Sequence, residues 1–265
     1  MNDIQISVRR INEMEMSLTA FNSKRSLYAD KTNLIVKKMG SSTLLIDENV
    51  PDSIYFNRIK GFGNKDVPII DDILGEYASK QITPCFDLTP SDISMEVAQA
   101  LMKRRYACCE QLAFLEVDPK AYEREQRNIA VEIVKVTEKN VEEFLNLIAL
   151  SNGRDIEEDL AQEKANYFVQ PYFKNFIAYI NGQPSGMGSL FIEGKEGYIA
   201  NDFTFLSYRG KGIHQALLDY RIKLSQAIGL TKVYTDVEFG SISHNNMLKL
   251  GFSQVFINSF WIKQE

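Results

Sequence analysis

The chain has 265 residues, 45% of them hydrophobic, with 30 Lys and Arg against 35 Asp and Glu and a net charge of −5. At roughly 100–200 residues per domain this is one large globular domain or two medium ones. The acidic balance excludes a general nucleic-acid binder, which needs surplus cations to release counterions, and no apolar run approaches the ~18–20 residues of a membrane helix.

The N-terminal segment MNDIQISVRRINEMEMSL lacks the apolar core of a secretion signal. Cys85, Cys108 and Cys109 form no C-x-x-C, and the histidines are His214 and His244. Neither a disulfide framework, a zinc site nor a multi-histidine metal centre is expected, and a reducing cytoplasm is.

In the first half, Ile11, Met14, Leu18 and Phe21 recur at helical spacing. Residues 43–46 read as a short buried strand, and residues 55–59 as another that ends at Gly61-Phe62-Gly63. Ile73, Leu74 and Tyr77 share one face of a helix over 70–80. Residues 85–88 form a strand stopped by Thr89-Pro90, and a helix from about Ser91 carries Val97 and Leu101. Residues 106–110 and 112–117 read as two closing strands.

Residues 118–128 hold Pro119 and dense mixed charge, with almost nothing to bury. They read as a linker or a short solvated helix and divide the chain into 1–117 and 129–265.

The second half opens with a strand over 129–136. Asn140 and Glu143 form a capping-box pattern ahead of a helix whose apolar face is Val141, Phe144, Leu145 and Ile148. A further helical pattern covers 157–168. Strands over 173–180 and 186–192 meet at Asn181-Gly182, a type I′ hairpin signal. A turn over 193–197 leads to a strand over 198–205. A glycine loop, a helix over 212–228, a strand over 232–237, a helix over 241–250 and two last strands complete the order. This succession predicts an α/β fold, a mixed sheet with helices on both faces. The halves also resemble each other. Residues 101–106 precede 247–252 by the interval that separates Phe114 from Phe260, and the element order recurs, which points to a duplicated fold.

The most informative stretch is residues 204–218. A strand runs through a basic loop, Arg209-Gly210-Lys211-Gly212, into a helix that opens with Ile213-His214. Unpaired N–H groups at a helix start, with the helix dipole, make an anion site. Gly210 and Gly212 let the backbone close on a phosphate, and Arg209 and Lys211 add charge. Neither a Walker A loop nor a G-x-G-x-x-G fingerprint is present, which disfavours an unrelated nucleotide-binding enzyme.

This loop resembles motif A of the GNAT N-acetyltransferases, [QR]-x-x-G-x-[GA], with Arg209 first, Gly212 fourth and His214 where Gly or Ala is usual. Lys249-Leu250-Gly251-Phe252 resembles the family's K-L-G-F helix end. The first half looks like a degenerate copy, with Gly61-Phe62-Gly63-Asn64-Lys65 in the loop's place. The resemblance therefore implies two tandem GNAT-like acyl-CoA N-acyltransferase domains, with one active site in the second.

It further implies that acetyl-CoA lies where two parallel strands part, over 198–205 and 232–237. Its pantetheine arm would run along the backbone of Phe203, Thr204 and Phe205, with an N–H there facing the thioester oxygen. Amides of Arg209, Gly210, Lys211, Gly212, Ile213 and His214 would hold the pyrophosphate, and Ser243 and Asn246 would reach the cofactor. A small-molecule or peptide amine attacks the thioester directly, through a tetrahedral intermediate. Asp202, Asp236 and Glu238 are the carboxylates near the parted strands, and Glu238, at a strand's C-terminal end, is the preferred base. Met247 stands where the family has a tyrosine acid, so Tyr208 or His244 substitutes. Residues 151–155 and the aromatic Tyr167, Phe168 and Tyr172 would border the acceptor. The alternative implied by Met247 and His214 is a non-catalytic CoA-binding or sensor module. A monomer or a homodimer is compatible with either.

Overall fold

The structure, a computed structural model, describes residues 3–27, 33–123 and 131–265. Helix α1 (Asp3–Lys24) buries Ile11, Met14, Leu18 and Phe21, as their spacing predicts. Strand β1 (Ile35–Met39) forms an antiparallel hairpin with β2 (Ser42–Ile46). β1 has no counterpart in the sequence reading, because this strand is almost wholly exposed and shows no apolar alternation. β3 (Arg58–Lys60) starts later than expected. Buried Asn57 ties its carboxamide to Asp47 N–H and Val50 C=O, and this holds the preceding residues in a turn.

A 3₁₀ turn (Asn64–Ile69), α2 (Ile70–Ala78) and β4 (Cys85–Leu88) follow. α3 (Met95–Met102) starts after Ser91, at the point where Ser94 caps it by accepting from Val97 N–H at 3.2 Å. β5 (Tyr106–Val117) is one strand where two were expected, since exposed Glu110 and Gln111 interrupt the apolar pattern without ending the extended backbone. Of residues 118–128, the described part contains a 3₁₀ turn, Pro119–Ala121, and 124–128 lie outside the described residues.

β6 (Glu132–Lys135) is the described part of the strand expected over 129–136, of which 129–130 lie outside. Helices α4 (Val141–Ser151) and α5 (Glu158–Ala165) come next. The capping box at α4 does not form. Asn140 accepts from Thr137 N–H at 2.7 Å, and Glu143 accepts from the Tyr179 hydroxyl at 2.8 Å. β7 (Phe173–Ile180), β8 (Gln183–Glu193) and β9 (Glu196–Thr204) form a meander. Asn181 and Gly182 both take positive φ between β7 and β8, as a type I′ turn requires. α6 (Ile213–Ala227), β10 (Lys232–Glu238), α7 (Ile242–Lys249) and a single β11 (Ser253–Lys263) close the chain, where two last strands were expected.

The described chain forms two compact units that are not contiguous in sequence. The first comprises Thr19–Phe114, Val237–Phe239 and Phe256–Glu265. Its strands run in the order β1-β2-β3-β4-β11, with β3 and β4 parallel and the other pairs antiparallel. Leu44, Ile59, Phe62, Ile73, Tyr77, Phe86 and Leu101 are among the side chains of its core. The second unit comprises Met1–Leu18, Leu115–Asp236 and Gly240–Val255. Its strands run β10-β9-β8-β7-β6, with β9 and β10 parallel and the rest antiparallel. Phe144, Phe168 and Phe173 pack ring to ring inside it, and Leu217, Leu218 and Ile222 of α6 are buried in it.

Candidate active site

The second unit contains a parallel strand pair that comes apart. β9 and β10 are in register at Glu196↔Lys232, Gly197↔Val233 and Tyr198↔Tyr234, and no further. Beyond that point β9 runs on to Thr204 and β10 to Glu238. The cause lies in β9. Its register with β8 shifts between Ser189↔Ala200 and Met187↔Phe203, and Asn201 adopts φ +55. One extra residue in one strand is a β-bulge, which bends and re-aims the strand.

A buried polar network fixes the bulge. Asn201 donates to Ser189 Oγ at 3.1 Å, and Ser189 donates to Asn175 at 2.6 Å. Arg221 of α6, fully buried, donates to Ser189 C=O at 2.9 Å and forms an ion pair with Asp202. Gly188 leaves room for that pair, since a Cβ there would lie 2.7 Å from Arg221 Nη1. Gly186 does the same for the helix, because its Cβ would meet Ile213 Cγ2 at 2.7 Å. Of the residues in this network the sequence reading singled out only Asp202, although two glycines inside a strand signal close backbone or side-chain approach.

At the end of β9 the chain makes a 3₁₀ turn (Leu206–Tyr208) and enters α6. Gly210 and Gly212 hold φ +78 and +81, in the left-handed region where a side chain is strained. Gly212 is the N-cap residue and has no side chain with which to cap the helix. The amides that open α6, those of Gly212, Ile213 and His214, have no carbonyl one turn back to bond. The Arg209 and Lys211 amides are used within the loop, by Leu206 C=O and Tyr208 C=O. The Arg209 side chain donates to Thr204 C=O at 3.3 Å, and the Lys211 ammonium lies 5.0 Å from the Tyr208 ring centre. Phe205 N–H is taken by Ser185 C=O of β8, so Thr204 is the residue of 203–205 whose backbone turns away from β8.

The first turns of α6 and α7 touch. Ser243 Oγ lies 3.4 Å from His214 Nε2, and Gln215 donates to Asn246 at 3.0 Å. Burial pushes His214 below the usual histidine range, with Asp202 opposing the push and Arg221 adding to it. His244 is buried, and its Nδ1 accepts from Gly240 N–H at 3.0 Å, which makes it a cap of the β10–α7 turn. Met247 is 2% exposed. Glu238 is exposed at the tip of β10 and belongs to the first unit. There it lines a cleft of about 640 Å³ with residues 108–112 and Phe239. Among the described residues no group of three His, Cys, Asp or Glu is placed to hold a metal, and no helix is long and apolar enough to cross a membrane.

A parted parallel pair with a glycine-opened helix beside it is the arrangement that the sequence resemblance implied. Residues 141–252 match the family described as Acetyltransferase (GNAT) family. This stretch is a GNAT domain. Solved structures share the fold over more of the chain. A GCN5-related N-acetyltransferase from Kribbella flavida is 15% identical, with TM-score 0.65, over 88% of this chain and 90% of that one. A functionally unknown conserved protein from Staphylococcus epidermidis is 14% identical, with TM-score 0.64, over 88% and 94%. A tandem GNAT protein from the clavulanic acid biosynthesis pathway is 12% identical, with TM-score 0.55, over 84% and 78%. The likeness thus reaches beyond the matched domain into the first half, and at these identities it is a likeness of fold. No curated protein matches the chain.

Proposed function

We propose that the protein is an N-acetyltransferase that moves the acetyl group of acetyl-CoA to a primary amine of a small molecule or peptide by direct attack. The observation that carries this reading is the parting of β9 and β10 after Tyr198↔Tyr234, next to a helix start whose N-cap is glycine and brings no capping side chain. The residues present fit the cosubstrate. The amides of Gly212, Ile213 and His214 would face the pyrophosphate, with the exposed Arg209 and Lys211 side chains supplying charge. The backbone around Thr204 would pair with the pantetheine arm as an added strand. A donor on this edge of β9 would stabilise the oxyanion that forms when the amine adds to the thioester. Ser243 and Asn246, half-buried beside the first turn of α6, border the same opening. Tyr208 remains the proposed donor to the departing thiolate. The described cysteines carry no disulfide, and exposed Cys108 and Cys109 suit a reducing cytoplasm.

The amine must lose a proton before it attacks, since a lysine-like ammonium has pKa about 10.4. A thiol of pKa about 8.5 is a fair leaving group, so Met247 at the tyrosine position does not by itself prevent turnover. Its burial favours the second reading, a CoA-binding module without turnover. Calorimetry with acetyl-CoA and with ATP, followed by free-thiol release against a panel of amines, tests both. Acetyl-CoA binding with amine-dependent thiol release is expected. Binding without release on any amine supports the sensor module, and ATP binding in preference to acetyl-CoA overturns both.

A further inference from the structure

Three carboxylates approach the parted strands in sequence, and the structure separates their roles. Asp202 is held by the buried guanidinium of Arg221 as part of the support of the bulge. Glu238 is exposed at the strand tip. Asp236 is the first side chain of β10, on the face of Tyr234, beyond the last registered pair. It is half-buried, and the hydroxyl of Tyr198, itself 1% exposed, donates to its Oδ1 at 2.6 Å. Tyr198 belongs to the last registered pair, so the hydrogen bond sits where the strands separate.

Other charged side chains on this face are engaged with one another. Glu196 of β9 bonds Arg10 of α1 and accepts from the Tyr234 hydroxyl at 2.9 Å. Arg10 also pairs with Glu13, and Lys232 pairs with Glu116 of β5 at 2.7 Å.

We infer that Asp236 is the carboxylate that takes the proton of the acceptor amine, and that Tyr198 is the positioning residue that aims it. The inference rests on the acetyl-transfer reading and replaces Glu238 as the base. An arm gripped at the start of α6 and laid back along β9 runs toward the closed end of the wedge, which brings its thioester to Asp236. The acceptor ammonium gives one proton to the Asp236 carboxylate. The freed lone pair forms the C–N bond to the thioester carbon. The C–S bond then breaks with its electron pair leaving on sulfur, the thiolate takes the Tyr208 hydroxyl proton, and Tyr208 recovers it as the second proton lost by the nitrogen. Asp236 returns its proton to solvent. The products are the N-acetyl amine, the free thiol of CoA and one proton.

The experiment compares wild type, Asp236→Asn, Tyr198→Phe and Glu238→Gln in thiol-release kinetics with the best amine of the panel, and in acetyl-CoA calorimetry. Asp236→Asn is expected to lower kcat about a hundredfold or more, the usual range for a general base, with acetyl-CoA affinity within about threefold of wild type. Tyr198→Phe is expected to lower kcat about tenfold and to move the acidic limb of kcat/KM to higher pH, because a carboxylate that loses a donor holds its proton more tightly. A merely structural tyrosine leaves that limb in place. Asp236→Asn within about threefold of wild-type kcat, an unmoved limb in Tyr198→Phe, or a hundredfold loss in Glu238→Gln alone overturns the inference. Should Asp236→Asn fail to fold, the Tyr198→Phe profile decides. Wild-type protein that binds acetyl-CoA and releases no thiol with any amine overturns the acetyl-transfer reading itself.

Discussion

Gly61-Phe62-Gly63 and Gly210-Lys211-Gly212 stand in the same place in the element order of the two halves, and they end as opposite kinds of structure. In the second unit the loop opens a helix at a glycine N-cap, which brings no capping side chain. In the first, the chain supplies its own anion. Asp66, 1% exposed, accepts from Ser41 N–H at 2.9 Å and from the hydroxyls of Ser41 and Ser42 at 2.6 Å each. Gly40 is held close over it, since a Cβ there would lie 2.2 Å from Asp66 Oδ1. The strands differ in the same sense. β3 is in register with β4 over its whole length, and Arg58 and Lys60 of β3 both pair with buried Asp87 of β4. No wedge opens between them. In the first half a carboxylate of the chain itself takes a backbone bond from Gly63 of the loop and the adjoining strands stay in register, whereas in the second the adjoining strands separate.

Four experiments break or sharpen this comparison. The largest effect is expected from Arg209→Ala combined with Gly212→Asp, which removes a cation and places a carboxylate at the helix start. Acetyl-CoA affinity should fall about a hundredfold or more, the scale of losing charge-assisted contacts, with the circular dichroism spectrum retained. Normal binding by this variant removes the second loop from the cosubstrate site.

Arg221→Met leaves Asp202 without its partner and frees the bulge. It should lower unfolding stability by about 3 kcal/mol in urea denaturation, and acetyl-CoA affinity should weaken with it. Unchanged affinity in a folded variant shows that the bulge is not needed to keep the wedge.

Asp66→Ala deprives Ser41 and Ser42 of their acceptor and should cost about 1–3 kcal/mol. The calorimetric stoichiometry should stay at one acetyl-CoA per chain, because β3 and β4 remain in register. A second equivalent bound by this variant shows that Asp66 alone distinguishes the loops.

The smallest effect is in acid. Burial works to raise the Asp66 carboxyl, but the hydrogen bonds from Ser41 and Ser42 prevail and hold it below the usual range. Its contribution is therefore present above the unfolded value of about 3.9 and lost as pH falls through the lower folded value. Between pH 5 and pH 3, wild type should lose more stability than Asp66→Asn in thermal melts. Parallel loss in the two proteins removes the charge of Asp66 from the comparison.

Much of this was legible beforehand. The helical spacing of Ile11, Met14, Leu18 and Phe21, the Asn181-Gly182 turn, the meander of β7 to β9 and the glycine start of α6 are local patterns, and the structure has each of them. The repeat was legible too. Arg105 and Gly251, related by the interval that relates the two halves, both take positive φ after a helix, and aromatic Tyr106 and Phe252 follow them into the core. The elements missed were those whose local signal is weak or misleading: exposed β1, and the strands β5 and β11, each read as two. At the site, Asp202, Asp236 and Glu238 looked alike as acidic residues near strand ends. They differ because Arg221 holds Asp202 and Tyr198 holds Asp236, while Glu238 is exposed at the strand tip, and those partners lie tens of residues away in the chain.

Sequence alone determined the α/β class and the basic glycine loop, because each is written in neighbours a few residues apart, and the duplication, because the same order of local patterns recurs at one interval. Tertiary structure decided which of the two glycine loops meets a carboxylate of its own chain, where β9 leaves β10, and which carboxylate stands at that point. Those outcomes depend on hydrogen bonds and close contacts between segments distant in the chain, which no local pattern encodes.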